Sequence, residues 1–187
     1  MRLSAPRITP LDEKDWSDEA REQLSRTAES GRVYNIFSTL ARYPKLLKRW
    51  LPFANHVLFK SALPPRAREI LILRIGWLCR AEYEWAQHVV IGRRAGLTDA
   101  DLQRIADGPD APGWEPFEAA LLRAADELHR DAFVSQATWA ALAARYGTEQ
   151  LMDVIFTVGQ YTLISMALNT LGVALDPGLE GFSRWRR

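Results

Sequence analysis

The residues best suited to chemistry lie in CRAEYEWAQH, Cys79 to His88, which gathers two acids, two aromatics, a histidine and the chain's one cysteine. On a helix Glu84 and His88, four residues apart, share one face. Imidazole moves a proton readily near neutral pH, so the pair is either a satisfied buried contact or the centre of an acid/base site. Glu69 lies upstream in RAREILILR, with Arg66, Arg68 and Arg74 available as ion-pair partners. Periodicity does not bring it to His88; only packing of the two helices can. Tyr83 and Trp85 flank Glu84 and point away from it, toward core or interface, yet with Trp77 they can line a pocket through a hydroxyl or an indole N–H. Gln160, Tyr161 and Asn169 interrupt an apolar helix, and buried polar groups need partners: a neighbouring helix or a substrate. His56 and His129 have no constellation around them and read as structural. Cys79 supplies one sulfur without a resolving thiol, which fits an inert buried residue better than disulfide-based chemistry. A single histidine with two acids on separate helices lacks metal-ligand spacing, so neither metal nor cofactor is expected.

These residues must be positioned by helices. Ser17 caps a polar helix from Asp18 to Glu29, ahead of Gly31. Tyr34 to Phe59 is apolar at helical spacing, with Pro44 in a first turn and Pro52 where a kink or break is expected. Pro64 and Pro65 start a helix from Arg66 to Cys79, the His88 helix follows with little or no loop to Ala95, and Gly96 stops it. Thr98 with Asp101 resembles a capping box for a helix to Ala106. Pro116 to His129, Gln136 to Tyr146 and Glu149 to Ala174 complete the set, with Ser135 and Thr148 as caps. No stretch alternates long enough for a strand, so the expectation is an all-α, single-domain helical bundle: an extended arm over 1–16, the domain over 17–176 and a solvated tail over 177–187 holding Arg184, Arg186 and Arg187.

At 187 residues, 48% apolar, 25% charged and with net charge +1, the chain suits one soluble domain without an electrostatic case for nucleic acid. One cysteine and no apolar leader fit a reducing cytoplasm. The last helix is apolar on nearly every side. It reads as buried rather than membrane-spanning, and in a domain this small its cover is expected from a second subunit, making a homo-oligomer.

PPRAREILILR, CRAEYEWAQHVVIGRRAGLT and GQYTLISMALNTLGVALDP, with NIFSTLARYPKLL upstream, resemble the carboxymuconolactone decarboxylase superfamily, which includes alkyl hydroperoxidase D. The peroxidase pattern is a glutamate, then CxxC, then a histidine four residues on. Glu69 matches the glutamate and His88 the histidine, while Ala81 and Glu84 stand in place of the cysteines. Cys79 falls two positions early, which removes the dithiol of the peroxidase cycle. The decarboxylase branch needs no dithiol, and its HxxxAxxxG-like segment is similar to His88 through Gly96. The resemblance implies cofactor-independent acid/base chemistry on a small carboxylated lactone or related carbonyl compound. His88 would then donate or accept a proton, Glu84 would orient it or act as a second acid, and Glu69 would complete a relay, with Arg74 or Arg80 as candidate anion partners. A thiol peroxidase using Cys79 and a non-catalytic binding protein are the alternatives.

Overall fold

The computed structural model describes residues 3–28 and 31–185, and among these nine α-helices and no strand occur. They are α1 (Asp18–Ser25), α2 (Asn35–Leu40), α3 (Pro44–Asn55), α4 (Pro65–Leu78), α5 (Glu82–Arg94), α6 (Asp99–Asp107), α7 (Pro116–Asp131), α8 (Gln136–Ala143) and α9 (Thr148–Leu171). The all-α expectation holds, and most starts follow the capping chemistry. Ser17 accepts from the Ala20 N–H, Ser135 from Thr138, and Thr98 and Asp101 form a reciprocal capping box. At α9 the cap is Gly147, and Thr148 is the first helical residue; the Gln150 side chain supplies the hydrogen bond to the cap N–H. α1 ends at Ser25, and Glu29 lies outside the described residues. Pro52 sits inside α3 without ending it, and the departure comes just after, where His56–Lys60 widens into a π-helical turn.

The helix enclosed on every side is α4 rather than α9. Ile70, Leu71, Ile72, Leu73 and Ile75 are wholly buried, with α5, α7 and α9 packed around them. Arg74 is tied down there, its guanidinium donating to both Asp126 oxygens at 2.6 and 2.9 Å and to the Ile105 and Ala106 carbonyls, so α4 is pinned to α6 and α7. One face of α9 joins this core. The other leaves Met152, Ile155, Phe156, Leu163 and Met166 between 39% and 58% exposed. The C-terminal segment is not a solvated tail: Phe182 and Trp185 are buried against Trp85, with ring centroids 6.0 Å away in each case. Arg184 pairs with Asp99 and Glu180, and Arg186 and Arg187 lie outside the described residues.

Candidate functional site

α4 and α5 form an antiparallel hairpin through Cys79–Ala81, where Arg80 takes the left-handed conformation (φ 52°) that reverses the chain. Close contact between the helices depends on Gly92, where a Cβ would come within 2.9 Å of Leu97 and 3.2 Å of Leu73. This hairpin achieves what periodicity alone does not: it carries Glu69 of α4 to His88 of α5.

The three expected catalytic residues converge. His88 Nδ1 is hydrogen bonded to Glu69 Oε2 at 2.7 Å, and its Nε2 is in ion-pair contact with Glu84 Oε1 at 3.0 Å. Arg68 Nε donates to the other Glu69 oxygen at 3.2 Å. Of the three arginines near Glu69 in sequence, Arg66 is held by Glu118 and Asp101 and Arg74 by Asp126, which leaves Arg68 for this role. The Tyr161 ring stands edge-on to the imidazole at 4.9 Å. Glu69 is fully buried, while Glu84 and His88 reach a cavity of about 350 Å³. Glu69 is thus the rear member of the relay and Glu84 the forward one.

Burial by itself pulls the His88 pKa down, but Glu69, and after it Glu84, outweigh that cost and push it up to about 10. At neutral pH the ring is an imidazolium between two acids. Burial, reinforced by the nearby Glu84 and Glu69, holds the Tyr161 phenol protonated well above its ordinary range. Both ring nitrogens of His88 face carboxylates, an arrangement suited to moving a proton between them and giving the ring no vacant ligand position.

The cavity wall comes from α2, α3, the π-helical turn, α5 and α9, including Ile36, Trp50, Phe59, Gln87, Gln160 and Ile164. Gln160 was expected here and is present; its Oε1 accepts from Trp50 Nε1 at 3.3 Å. Among the described residues the Gln160 amide N–H₂ and the Tyr161 hydroxyl have no hydrogen-bond partner, and both residues line the cavity. Tyr83 also lines it, but its hydroxyl is spent on structure, donating to Asp176 Oδ2 at 2.5 Å and accepting from Ile36 N–H and Gln87. Gln87 and the Asn35 N–H also donate to Asp176, so the segment after α9 is tied to the cavity wall.

Three expected binding residues lie elsewhere. Trp85 is wholly buried beside Trp77, 5.0 Å between centroids, in the aromatic cluster with Phe182 and Trp185, because its position on α5 faces away from Glu84 and His88. Asn169 donates to the Cys79 carbonyl at 2.9 Å, capping the end of α4 on another side of α9. Cys79 itself is outside the cavity, its Sγ 3.8 Å from His129 Nδ1, which gives His129 a neighbour that spacing did not suggest. Arg80 faces a separate surface depression with Glu82. Trp50, Gln87 and Phe59 were missed as wall residues. Trp50 alone carried a signal, on the apolar face of α3.

Residues 44–127, which include the whole hairpin, match the model of the carboxymuconolactone decarboxylase family. The fold is similar to a solved structure described as an alkylhydroperoxidase AhpD core, an uncharacterized peroxidase-related protein from Ralstonia eutropha JMP134, with 19% identity over 94% of each chain and a TM-score of 0.81. An uncharacterized peroxidase-related protein from Silicibacter sp. TM1040 shares 15% identity over 94% of this chain and 95% of its own, with a TM-score of 0.79. The debrominase Bmp8, solved with 2,3,4-tribromopyrrole, shares 13% identity over 91% of each chain at a TM-score of 0.72. None of the curated proteins compared with the chain matches its sequence. The segment that matches the family model thus lies on an AhpD-like fold, and within it Ala81 and Glu84 stand where a CxxC dithiol would be.

Proposed function

We propose that the protein is a cofactor-independent proton-transfer enzyme, a lyase or isomerase, acting on a small carbonyl compound of the lactone or keto-acid type. The observation that carries this reading is the Glu69–His88–Glu84 relay, whose forward end opens on a mainly apolar cavity. A carboxylate and an imidazolium in contact can serve opposite roles: Glu84 takes a proton from the carbon beside a carbonyl, and His88 supplies one to the enolate. The Gln160 N–H₂ and the Tyr161 hydroxyl are donors suited to the enolate oxygen. In a carboxylated substrate, loss of carbon dioxide would leave the same enolate for protonation. The walls favour the less charged members of this class, since among the described residues the cations lining the cavity are already paired, Arg26 with Glu22 at 2.8 Å and His88 with Glu69 and Glu84.

The size and apolar lining also suit a compact planar ring, in keeping with a fold shared with a protein solved with a tribrominated pyrrole. A peroxidase reading would rest on Cys79, which stands beside His129 outside this cavity. The test is deuterium uptake from D₂O at carbon, followed by NMR, across unsaturated lactones, their carboxylated analogues and small keto acids. Protein-dependent exchange in at least one class is expected. No exchange in any class, with a ligand retained unchanged through purification, would replace the enzyme with a binding protein.

A further inference from the structure

Two glutamines line the cavity, Gln87 from α5 and Gln160 from α9. An amide is a donor at one end and an acceptor at the other, so what holds one end decides which end a ligand meets. At Gln160 the holder is the Trp50 indole, which can only donate; its Nε1 bonds to Oε1 at 3.3 Å and leaves the N–H₂ for the cavity. At Gln87 the polarity is reversed. Its Nε2 donates to Asp176 Oδ2 at 2.8 Å and to the Tyr83 hydroxyl oxygen at 3.1 Å, which uses both amide hydrogens. Turning this amide over would set a carbonyl oxygen against the Asp176 carboxylate, itself in ion-pair contact with Arg32 at 3.6 Å. Tyr83 is fixed in turn, donating to Asp176 and accepting from the Ile36 N–H. Asp176 is buried and lies outside the cavity wall, so the polar atom that Gln87 has left for the cavity is Oε1. Oε1 has no partner among the described residues, and neither it nor the Gln160 N–H₂ is among the polar atoms sealed unpaired in the core.

We infer that the cavity selects a neutral ring compound with a carbonyl oxygen at one edge and a hydroxyl or N–H at another, and that Gln160 and Gln87 are the residues that set this specificity. The ligand carbonyl accepts from Gln160 and the Tyr161 hydroxyl, and the ligand donor is taken by Gln87 Oε1. Glu84 stands three residues before Gln87 on α5, so the two share a face. The ligand's donor therefore sits beside the atom that meets the Glu84 carboxylate. A carbonyl compound without a donor leaves Oε1 unpaired when it binds, and an analogue without the carbonyl does the same to the Gln160 N–H₂; each is weakened by the loss of a hydrogen bond. Trp50 is a positioning residue here, acting through the orientation it gives Gln160. This specificity rests on the function proposed above only for the placement of the substrate in this cavity, not for the proton transfer.

Binding constants from NMR titration of the full chain test this with an unsaturated γ-lactone bearing a hydroxymethyl group, its ethyl isostere, its methyl ether and the cyclic ether that keeps the hydroxymethyl group but lacks the carbonyl. The hydroxymethyl lactone is expected to bind about tenfold more tightly than each of the others, the fold-change of one neutral hydrogen bond. Gln87→Met, similar in shape, is expected to level the three lactones while the carbonyl preference stays. Gln160→Met is expected to do the reverse. Trp50→Phe keeps an aromatic ring, frees the Gln160 amide to turn, and is expected to reduce the carbonyl preference without altering the hydroxyl preference. The wild-type series decides the matter by itself if a variant loses its helical spectrum. Equal affinities across that series, or a hydroxyl preference that survives in folded Gln87→Met, overturn the specificity, and exchange at carbon in such a protein leaves the acid/base reading standing. A tenfold preference without any exchange upholds the specificity and removes the enzyme. Failure of all four compounds to bind overturns the specificity together with the placement of a lactone in this cavity.

Discussion

Glu84→Gln is expected to lower the rate of carbon proton exchange by about 10²- to 10⁴-fold, the range lost when a positioned general base is removed. The substitution keeps the shape and leaves an amide oxygen able to accept from His88 Nε2 at the present 3.0 Å. It removes the carboxylate that meets the cavity, while Trp50, Gln160 and Tyr161 still line it. The loss should therefore fall on kcat, with KM within a few-fold. Glu84→Asp retains basicity with a shorter reach and should recover part of the rate. Glu69→Gln acts one step further back, through the charge and orientation of His88, and should move the pH profile as well as its height. An exchange rate unaltered by Glu84→Gln would remove this carboxylate from the reaction.

His88→Ala is expected to cost on the order of 3–5 kcal/mol of stability at neutral pH, because it strips a buried pair of carboxylates of the cation between them. Glu69 would keep only Arg68, and Glu84 would face a void. The linkage to pH has a definite sign. The folded-state pKa of His88, near 10, lies above its ordinary value of 6.5, so its contribution is complete below about pH 6.5 and is lost as pH rises toward 10. The buried phenols of Tyr83 and Tyr161 are held protonated above their ordinary value of 10, so their own losses begin beyond that window. Urea midpoints taken from pH 6 to pH 10 should fall for the wild type by several kcal/mol in equivalent stability and stay nearly level for His88→Ala. A level wild-type curve would mean that the ring is neutral in the folded protein.

Glu84 and His88 were legible because four residues is a local spacing, governed by the helix itself. Glu69 was reachable only through resemblance to a family, since the left-handed turn at Arg80 and the packing at Gly92 that deliver it are not periodic features. Trp77 and Trp85 were misplaced for a related reason: aromatic side chains near a reactive pair look like pocket walls, yet here their rings are packed in a cluster with Phe182 and Trp185. That cluster depends on residues about a hundred positions away, as does the bond from Tyr83 to Asp176. Apolar content around α9 suggested complete burial, but composition does not tell which faces meet a neighbour. α4, with Glu69 and Arg74 inside it, is the enclosed helix because these two buried charges are individually neutralised.

Arg68, Glu69, His88 and Glu84 together carry two positive and two negative charges in the protonation state described, so the relay has almost no far field. Substrate capture then owes little to electrostatic steering, and the apparent second-order rate constant should hardly change with ionic strength. On the proposed chemistry, selection would fall instead on shape and on the water displaced when a small ring enters the cavity.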